Sequence, residues 1–349
     1  MEETNYLHNT YSEIPWDLLK GKRILITGIT GMIGYTLLQT LLEYNQKEKA
    51  GIELVGISRD KERAIDRLGD VMQYPEFFYI PRDINEPLVE MGDFDYIIHC
   101  ASNTHPKQYS TDPIGTILAN VWGTKNLLDY ISTHGKSRFV FLSSVEIYGE
   151  NRGDVDLFKE DYLGYIDCNT LRSGYPEGKR LGESLCNAYA KQKNVDFVIA
   201  RLSRTYGPSL QNTDSKAISQ FITKASLGEN IVLKSRGDQL YSYTYEEDAA
   251  AAILLMMLKG SSGEAYNVAD RESAVTLAEL ANYLANMADT KVVYEIPDEV
   301  EQAGYSTATK AILDASKLEK LGWKPKVHMR EGLRRTIESR TIIKNKVYR

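Results

Sequence analysis

The sequence predicts an α/β fold, in which a doubly wound parallel sheet is followed by a smaller mixed lobe. From Arg23 onward, short apolar runs alternate with longer helical segments, which is typical of parallel strands joined by helical crossovers. Each apolar run is nearly continuous, as expected of strands that are covered on both faces. Six strands are predicted: Arg23–Thr27, Glu53–Ile57, Phe77–Ile80, Tyr96–Cys100, Arg138–Ser143 and Phe197–Leu202.

The helical segments between these strands carry their apolar residues on one stripe. Leu37 and Leu41 recur at helical spacing in the first crossover, and Leu127 and Ile131 do so in the fourth. After Tyr206-Gly207-Pro208 the alternation gives way to short elements separated by proline and glycine. We therefore predict that the second half of the chain forms a smaller lobe over the carboxyl edge of the sheet.

The composition is that of an ordinary globular protein. The 349 residues are 42% hydrophobic and 26% charged, with a net charge of −6, so no broad basic field is available for nucleic acid. The N-terminus is acidic and no run of about 18 apolar residues occurs, which argues against export and against a membrane span. The cysteines are scattered (Cys100, Cys168 and Cys186), and we expect reduced thiols in a cytoplasmic protein and no metal.

The first predicted strand runs directly into a glycine-rich turn that is followed by an amphipathic helix. Gly28, Gly31 and Gly34 are spaced three apart, which lets the backbone approach a pyrophosphate and points a helix N-terminus at its charge. The strand, turn and helix together predict a dinucleotide-binding site of the Rossmann type. The predicted cofactor contacts in this turn are Gly28, Thr30, Gly31, Met32, Ile33 and Gly34.

The second strand leaves the choice between NAD and NADP open. It ends in Gly56-Ile57-Ser58-Arg59-Asp60. An acidic residue at the strand tip favours NAD, whereas Arg59 beside Ser58 favours the 2′-phosphate of NADP. Arg59 is equally well explained as a solvated loop residue. Further predicted cofactor contacts follow the third and fourth strands or lie on the helix behind them: Asp83, Ile84, Ala101, Ser102 and Asn120.

Three polar side chains behind the dinucleotide turn predict a catalytic site. Tyr175 and Lys179 are four residues apart on one face of a helix, where an ammonium favours the phenolate that removes a proton from a substrate hydroxyl. Lys179 can also hold the nicotinamide ribose. Ser144 ends the fifth strand, where its hydroxyl can bond the same substrate oxygen, although a serine there is often only a cap.

These residues resemble the extended short-chain dehydrogenase/reductase family, also called the NAD-dependent epimerase/dehydratase family. The resemblance extends from about residue 22 to about residue 339 and is strongest to bacterial UDP-glucuronate decarboxylases and dTDP-glucose 4,6-dehydratases. The motifs that carry it are Gly28-x-x-Gly31-x-x-Gly34, Ser144-Val145-Glu146-Ile147-Tyr148-Gly149, Arg172-Ser173-Gly174-Tyr175-x-x-x-Lys179, His105-Pro106-Lys107-Gln108-Tyr109 and Arg201-x-x-x-x-Tyr206-Gly207-Pro208.

The resemblance implies a nucleotide-diphosphate sugar as substrate and a shared first step. Tyr175 removes the proton of the sugar 4-hydroxyl while C4 gives hydride to a tightly held, recycled NAD, with NADP as the alternative. The resulting ketone permits decarboxylation of a uronic acid, which we rank narrowly first, 4-epimerisation or 4,6-dehydration. Glu146 is the expected carboxylate near C5 and C6, unless it is a salt-bridged or capping residue. The resemblance also implies a homodimer formed through the segments Asn120–Ile131 and Tyr175–Lys191.

Three positions depart from the family pattern. Val145 stands where the dehydratases usually carry a proton-donating aspartate, which weakens the case for dehydration. Arg204 replaces an asparagine, and Tyr241 replaces an arginine that holds the diphosphate or assists decarboxylation. Arg204, Lys216 and Arg236 can take over the diphosphate, or can be structural charges. The full set of predicted substrate contacts is Thr104, His105, Arg172, Arg204, Lys216, Arg236 and Tyr241.

The motifs divide the chain into three predicted parts. These are an N-terminal extension (1–22), an NAD(P)-binding Rossmann domain (23–206) and a mainly substrate-binding lobe (207–349), from which some segments return to the Rossmann domain. Two alternatives of other classes stay open at this point. One is a nicotinamide-binding regulatory protein without turnover, and the other is a reductase that releases NADP, for which Arg59 is the sole support.

Overall fold

The computed structural model describes residues 7–295 and 308–347. Its strands are β1 (Arg23–Thr27), β2 (Glu53–Ser58), β3 (Phe77–Pro81), β4 (Tyr96–His99), β5 (Arg138–Ser144), β6 (Asp196–Leu202), β7 (Arg204–Tyr206), β8 (Ile231–Leu233), β9 (Leu240–Tyr245), β10 (Glu264–Val268), β11 (Asp270–Thr276), β12 (Val292–Tyr294) and β13 (Lys310–Ala311). Its helices are α1 (Leu7–Thr10), α2 (Met32–Glu48), α3 (Lys61–Leu68), α4 (Pro106–Thr111), α5 (Pro113–Thr133), α6 (Gly174–Lys193), α7 (Ala217–Ser226), α8 (Glu246–Lys259), α9 (Leu277–Met287), α10 (Ser316–Glu319) and α11 (Met329–Val347). Within these ranges, no helix combines the length and the apolar character needed to cross a bilayer.

Seven strands form one parallel sheet, in the order β10-β6-β5-β4-β1-β2-β3. β1 pairs with both β2 and β4, so the strand order reverses at β1, as it does in doubly wound sheets. All six predicted strands are present, and no end differs from the prediction by more than one residue. The predicted α/β fold is confirmed.

Successive residues of each central strand face two different helical layers. In β1, Ile24 and Ile26 belong to the core on the side of α2 and α8, whereas Leu25 belongs to the core on the side of α5 and α6. Because both faces are covered, these strands carry apolar residues at consecutive positions instead of at alternate ones. β3 lies at the sheet edge, where Phe78 is 51% exposed.

β10 returns from the second half of the chain to the main sheet, where it pairs with β6. The sequence pattern does not indicate this strand, because the polar residues Glu264 and Asn267 interrupt its apolar run. Asn267 is nevertheless fully buried. Its side chain accepts a hydrogen bond from the Tyr148 hydroxyl at 2.7 Å and donates one to the Phe158 carbonyl at 2.9 Å, so the buried amide is satisfied.

The second lobe begins directly after β6. Only Ser203 separates β6 from β7, and β7 pairs with β9 instead of continuing the main sheet. β9 also pairs with β11 and β13, and β8 pairs with β12 in a separate two-stranded sheet. Phe221 of α7, Leu280 of α9 and Leu333 of α11 are buried in the core of this lobe.

Residues 7–22 belong to the predicted N-terminal extension (1–22). They contribute to the core beside α2 and α8. Five of their apolar side chains are buried: Leu7, Tyr11, Ile14, Trp16 and Leu19. The Tyr11 hydroxyl donates a hydrogen bond to Oδ1 of Asp248 at 2.8 Å, and Lys326 N and Val327 N donate to the same carboxylate at 2.6 and 3.0 Å. The first turn of α8 thereby fixes the N-terminal segment.

The same turn of α8 contains Glu246, a buried carboxyl group beneath the segment that follows β7. The two carboxyl oxygens of Glu246 accept hydrogen bonds from Ser209 N at 3.1 Å each. Burial raises the pKa of Glu246 to about 7 from an ordinary value of 4.5. Between these two pH values the folded protein holds a proton that the unfolded chain has released, so the free energy of unfolding falls as the pH rises.

We expect Glu246→Gln to remove this pH dependence. At pH 5 the variant and the unmodified protein should be similarly stable, whereas at pH 8 the variant should be more stable, by a difference on the order of 3 kcal/mol. Urea unfolding at the two pH values measures the difference. Glu62→Gln, at an exposed position in the first turn of α3, is the control. An equal loss of stability at both pH values in Glu246→Gln would contradict the assignment.

Candidate active site

A cavity of about 1140 Å³ lies at the carboxyl ends of the main-sheet strands, between the sheet and the second lobe. Parallel sheets place their ligand sites at this edge because all strands end there. The cavity wall includes every predicted site residue except Asn120 and Arg236. The structure therefore brings together the dinucleotide turn, the tyrosine and lysine pair, and most of the predicted substrate contacts.

The glycine turn requires glycine for two physical reasons. Gly28 has a φ of +68°, and a Cβ there would lie 2.7 Å from the Ala101 Cα. A Cβ on Gly34 would lie 2.5 Å from the Gly28 carbonyl oxygen. α2 starts at Met32 without a side-chain cap, so the amide groups of its first turn are available to a diphosphate at the cavity wall.

Asn120 lies behind the part of the cavity wall that Ala101 and Ser102 form. It is fully buried on α5, where its Oδ1 accepts a hydrogen bond from the Ser102 hydroxyl at 2.9 Å and its Nδ2 donates to the Thr116 carbonyl at 2.9 Å. Ser102 and Ala101 line the cavity in front of it. Asn120 is absent from the cavity wall and both ends of its amide are used inside the protein, which favours an indirect role; a direct contact with the cofactor stays a prediction.

Thr27 and His99 form a buried pair where β1 and β4 end. Thr27 Oγ1 lies 2.8 Å from His99 Nδ1 and accepts a hydrogen bond from Ala101 N at 3.2 Å. Burial, with a smaller contribution from the Lys179 charge, lowers the pKa of His99 to about 3. His99 is consequently neutral and acts in packing, not as a proton donor.

Ser144, Tyr175 and Lys179 meet at the centre of the cavity. α6 begins at Gly174, so Tyr175 lies in its first turn and Lys179 lies one turn later; both side chains are buried. Nζ of Lys179 donates a hydrogen bond to the Leu142 carbonyl at 2.7 Å and lies 6.0 Å from the centre of the Tyr175 ring. Ser144 accepts a hydrogen bond from Glu146 N at 3.2 Å and is close enough to Tyr175 to influence its pKa, so it is both a cap and a neighbour of the phenol.

The pKa of Tyr175 is shifted in the direction opposite to the one expected from the sequence. Burial raises the pKa of Tyr175 to about 12; the Glu146 charge adds to this rise, and the Ser144 hydrogen bond opposes it. Burial also lowers the pKa of Lys179 to about 8. The expected effect of the ammonium on the phenol is outweighed because desolvation disfavours the charged form of each group, and because Lys179 donates to a carbonyl and not to Tyr175.

Two arginines converge on Glu146 beside this centre. Arg172 donates to Oε2 of Glu146 at 2.8 Å, and Arg204 donates to Oε1 at 3.3 Å. Nε and Nη1 of Arg172 and Nη1 of Arg204 are buried without a hydrogen-bond partner in the described part of the chain. Buried guanidinium N–H groups without an acceptor are costly, so this cluster of two cations and one anion is suited to an anionic ligand group.

Aromatic rings hold the two guanidinium groups in place. Arg172 lies over the ring of Tyr109 at 4.5 Å from its centre, and Tyr109 in turn stacks on Tyr175 at 4.9 Å between ring centres. Arg204 lies over the ring of Tyr241, 3.3 Å from its centre. Arg204 and Tyr241, two of the three residues that depart from the family pattern, are thus in direct contact.

The remaining predicted substrate residues lie nearer the second lobe. His105 Nδ1 is 3.2 Å from Oδ1 of Asp214, and Nζ of Lys216 is 3.0 Å from Oδ2. Burial raises the pKa of Asp214, but the charges and hydrogen bonds of Lys216 and His105 outweigh burial and keep this pKa below its ordinary value. Thr104 lines the cavity beside them. Arg236 lies outside the cavity wall, with a side chain that is 92% exposed and paired with Asp238, so the structure does not bring it to the site.

Several contributors to the cavity wall are absent from the predicted site, among them Tyr109, Gln211 and Asp214. Tyr109 falls in the motif His105-Pro106-Lys107-Gln108-Tyr109, but nothing in its spacing indicates that it stacks on Tyr175. Asp214 and Gln211 lie in Gln211-Asn212-Thr213-Asp214, a polar loop with no recognisable pattern. Both act through contacts between distant segments, such as the hydrogen bond from Gln211 to the Thr30 carbonyl, which only the folded chain displays.

We expect Gly28→Ala to impair NAD binding far more than Gly21→Ala. Both glycines have φ near +67°, so both variants should lose about 1 kcal/mol of stability to backbone strain. At Gly21 nothing lies within 4 Å of the added Cβ, whereas at Gly28 it meets the Ala101 backbone. Calorimetric titration should show a loss of NAD affinity of roughly tenfold or more in Gly28→Ala alone. Equal affinities in the two variants would contradict a cofactor role for the turn.

Comparisons with known proteins agree with this geometry. The model of the NAD dependent epimerase/dehydratase family matches residues 24–269. UDP-glucuronic acid decarboxylase 3 of Arabidopsis thaliana is 33% identical over 314 residues, which cover 89% of this chain and 86% of the relative. UDP-glucuronic acid decarboxylase 1 of Xenopus tropicalis is 31% identical over 319 residues, covering 90% of this chain and 71% of the relative.

Solved structures share the fold over nearly the whole chain. A dTDP-glucose 4,6-dehydratase from Streptomyces venezuelae has a TM-score of 0.80 at 24% identity and covers 93% of this chain and 98% of its own. A UDP-glucuronic acid 4-epimerase from Bacillus cereus has a TM-score of 0.79 at 21% identity, with coverages of 92% and 99%. The chain belongs to the NAD dependent epimerase/dehydratase family, and it is an enzyme with NAD as its cofactor.

Proposed function

We propose that the enzyme decarboxylates a nucleotide-diphosphate uronic acid of the UDP-glucuronate type. The observation that carries this proposal is the pair of arginines on Glu146 beside Tyr175, with three buried guanidinium nitrogens that have no acceptor among the described residues. A planar guanidinium suits a carboxylate, whereas the uncharged C6 group of a neutral hexose offers no charge to match. The curated relatives that match most of the chain are UDP-glucuronic acid decarboxylases, which supports the same substrate.

The contact between Arg204 and Tyr241 compensates for the arginine that Tyr241 replaces, whose loss speaks against decarboxylation. Tyr241 stands where the resembling enzymes usually carry an arginine, but the guanidinium of Arg204 lies 3.3 Å from the centre of its ring. The positive charge is therefore supplied from β7 instead of β9. Val145, which is buried beside Ser144, has no proton to give to a departing hydroxyl, so the same site is less suited to dehydration.

The chain's own residues carry out the proton transfer at the C4 oxygen. NAD held by the glycine turn would supply a hydride acceptor and donor for the sugar C4. Tyr175 takes the proton of the 4-hydroxyl, and Ser144 holds the same oxygen through its hydroxyl. Lys179 is partly protonated near neutral pH, since burial lowers its pKa to about 8, and its positive charge favours the phenolate when Tyr175 gives up its proton.

The carboxylate then leaves from a β-keto acid. The C5–C6 bond breaks, carbon dioxide departs, and the electron pair is delocalised onto the oxygen at C4, where Ser144 and Tyr175 can stabilise it by hydrogen bonds. C5 afterwards takes up a proton from solvent water, and reduction at C4 returns to the oxygen the proton that Tyr175 took in the first step. Glu146 accepts from both arginines at once, so we assign it the positioning of Arg172 and Arg204.

We expect the purified enzyme to convert UDP-glucuronate to a product that lacks the mass of carbon dioxide. The test incubates the enzyme with a panel of UDP-, dTDP-, GDP- and CDP-linked sugars and identifies the products by mass spectrometry. Loss of water from a hexose substrate would indicate dehydration. An unchanged mass with a new retention time would indicate 4-epimerisation. Either result without release of carbon dioxide would overturn the proposal.

Three variants serve as controls for this experiment. Tyr175→Phe should abolish turnover while NAD remains bound, because the phenol oxygen is needed for proton transfer and not for the dinucleotide turn. Arg204→Leu should raise KM for the uronate by roughly tenfold or more. Arg204→Lys keeps the positive charge but lacks the planar guanidinium. Its KM should therefore lie between that of the unmodified enzyme and that of Arg204→Leu. Near-normal rates in Tyr175→Phe would remove the catalytic assignment.

We also propose that the protein is a homodimer formed through α5 and α6. Large apolar side chains on these helices are exposed in the single chain: Ile114 (71%), Leu118 (38%), Trp122 (45%) and Leu181 (46%). The three on α5 are four residues apart and so lie on one face. An exposed apolar stripe of this kind is typical of a protein interface. The cytoplasmic location stays a prediction.

We expect Trp122→Glu to convert the dimer into a monomer. A charged side chain in the centre of the apolar stripe would have to be desolvated in the interface without a partner. Sedimentation velocity measures the change in mass. Phe78→Glu, at an exposed position on the edge strand β3, is the control that should leave the mass unchanged. A monomeric unmodified protein at micromolar concentration would refute the proposed dimer.

A further inference from the structure

Tyr243 of β9 carries a buried hydroxyl that the folded chain leaves without a hydrogen bond. Its side chain is 1% exposed and lines the cavity. Its oxygen has no hydrogen-bond partner among the residues that the structure describes. Buried hydroxyl groups are nearly always paired, because an unmade hydrogen bond costs free energy. Given the decarboxylase function above, on which this inference rests, we propose that the Tyr243 hydroxyl donates a hydrogen bond to the C6 carboxylate of the uronic acid.

The alternation of side chains along β9 turns Tyr243 toward the cavity. Tyr241 and Tyr243 are two residues apart and so share one face of the strand, whereas Ser242 lies on the other. Ser242 is paired inside the second lobe, where its hydroxyl oxygen accepts a hydrogen bond from Leu313 N at 3.0 Å. Both tyrosines belong to the cavity wall and Ser242 does not. A ligand in the cavity therefore faces the two phenol side chains.

The two tyrosines differ in how their hydroxyl groups are used. The Tyr241 hydroxyl donates to the Ala308 carbonyl at 2.8 Å, and the Tyr241 ring packs against the guanidinium of Arg204. Tyr241 thus acts through its ring. The Tyr243 hydroxyl has no such acceptor in the described part of the chain, so its proton is available to a ligand.

Arg204 is the register partner of Tyr243 in the parallel pairing of β7 with β9. Register partners on neighbouring strands point their side chains to the same face of a sheet. The two groups are close enough for the charge of Arg204 to oppose the rise that burial causes in the pKa of Tyr243. A ligand group that binds Arg204 on this face is therefore near the Tyr243 hydroxyl as well.

The charges around Tyr243 favour a carboxylate as its acceptor. Arg172, Arg204 and Glu146 together carry one net positive charge, which the carboxylate of a uronic acid neutralises. A carboxylate has two oxygens with several lone pairs, so it can accept from guanidinium groups and from a phenol at the same time. The hydroxymethyl group of a neutral hexose can also accept from Tyr243, but a hydrogen bond to a charged oxygen is stronger. Tyr243 is thus a specificity-determining residue for uronic acids.

The reaction limits the step to which Tyr243 contributes. Its hydrogen bond forms with the charged carboxylate and is lost as the C6 carbon departs in neutral carbon dioxide. Such a contact strengthens substrate binding without lowering the barrier of the chemical step. Tyr243→Phe should raise KM for UDP-glucuronate by roughly tenfold and keep kcat within about twofold, as steady-state kinetics can measure. A fall in kcat at unchanged KM would overturn the proposal.

A binding experiment tests which group of the sugar Tyr243 contacts. NAD-loaded Tyr175→Phe protein, in which turnover is blocked, is titrated calorimetrically with UDP-glucuronate and with UDP-glucose. Adding Tyr243→Phe should weaken UDP-glucuronate by about tenfold and UDP-glucose by no more than about twofold. An equal loss for the two ligands, or an unchanged affinity for UDP-glucuronate, would refute the contact. Release of carbon dioxide by the unmodified enzyme is measured separately, so failure of the decarboxylase function gives a different result.

The stability of the ligand-free protein tests whether the hydroxyl has an internal partner. Tyr243→Phe should leave the free energy of unfolding in urea unchanged or raise it, because no hydrogen bond is lost. Tyr266→Phe is the matched control: Tyr266 is buried outside the cavity wall, and its hydroxyl accepts from Ser261 N at 2.9 Å. This control should lower the stability and leave both sugar-nucleotide affinities unchanged. A loss of stability in Tyr243→Phe as large as in Tyr266→Phe would contradict the inference.

Discussion

The common direction of the seven strands is the constraint from which the site follows. Because β1, β4, β5 and β6 all run in parallel, their carboxyl ends share one edge, and the residues that follow them become neighbours despite their distance in the chain. Gly28 follows β1, Ala101 comes two residues after β4, and Ser144 ends β5. The backbone approach between Gly28 and Ala101 is so close that a single methyl group would not fit. The part of the cavity wall that Gly28 and Ala101 form is therefore fixed by the packing of the sheet.

Burial, more than pairing between the catalytic groups, sets the electrostatics of the centre. The pKa of Tyr175 is raised to about 12 and that of Lys179 is lowered to about 8, so both groups tend toward their neutral forms. In contrast, Arg172 and Arg204 keep their charge because guanidinium does not release its proton in proteins. The cavity thus combines a neutral phenol, and a lysine whose pKa lies close to neutral pH, with two fixed cations. That combination suits an anionic substrate whose hydroxyl must lose a proton.

How much the sequence predicts depends on whether a feature is local. The six strands and the glycine turn are local patterns, and their prediction is confirmed to within one residue for the strands. β10 escapes prediction because its buried Asn267 is satisfied by Tyr148 and Phe158, which are distant in the chain. The direction of the Tyr175 pKa shift depends on burial, which spacing does not reveal. The sequence likewise gives no sign that Arg204 and Tyr241 touch, because their contact arises from the pairing of β7 with β9.

The segment that follows β7 links the two ends of the cavity. Ser209 donates to the buried Glu246, Gln211 donates to Thr30 in the glycine turn, and Asp214 contacts His105 in front of α4. One stretch of the second lobe is thereby fastened to the main sheet, the cofactor turn and the substrate wall. Gln211 and Asp214 of this stretch line the same cavity as the glycine turn, so the second lobe contributes directly to the wall of the candidate site.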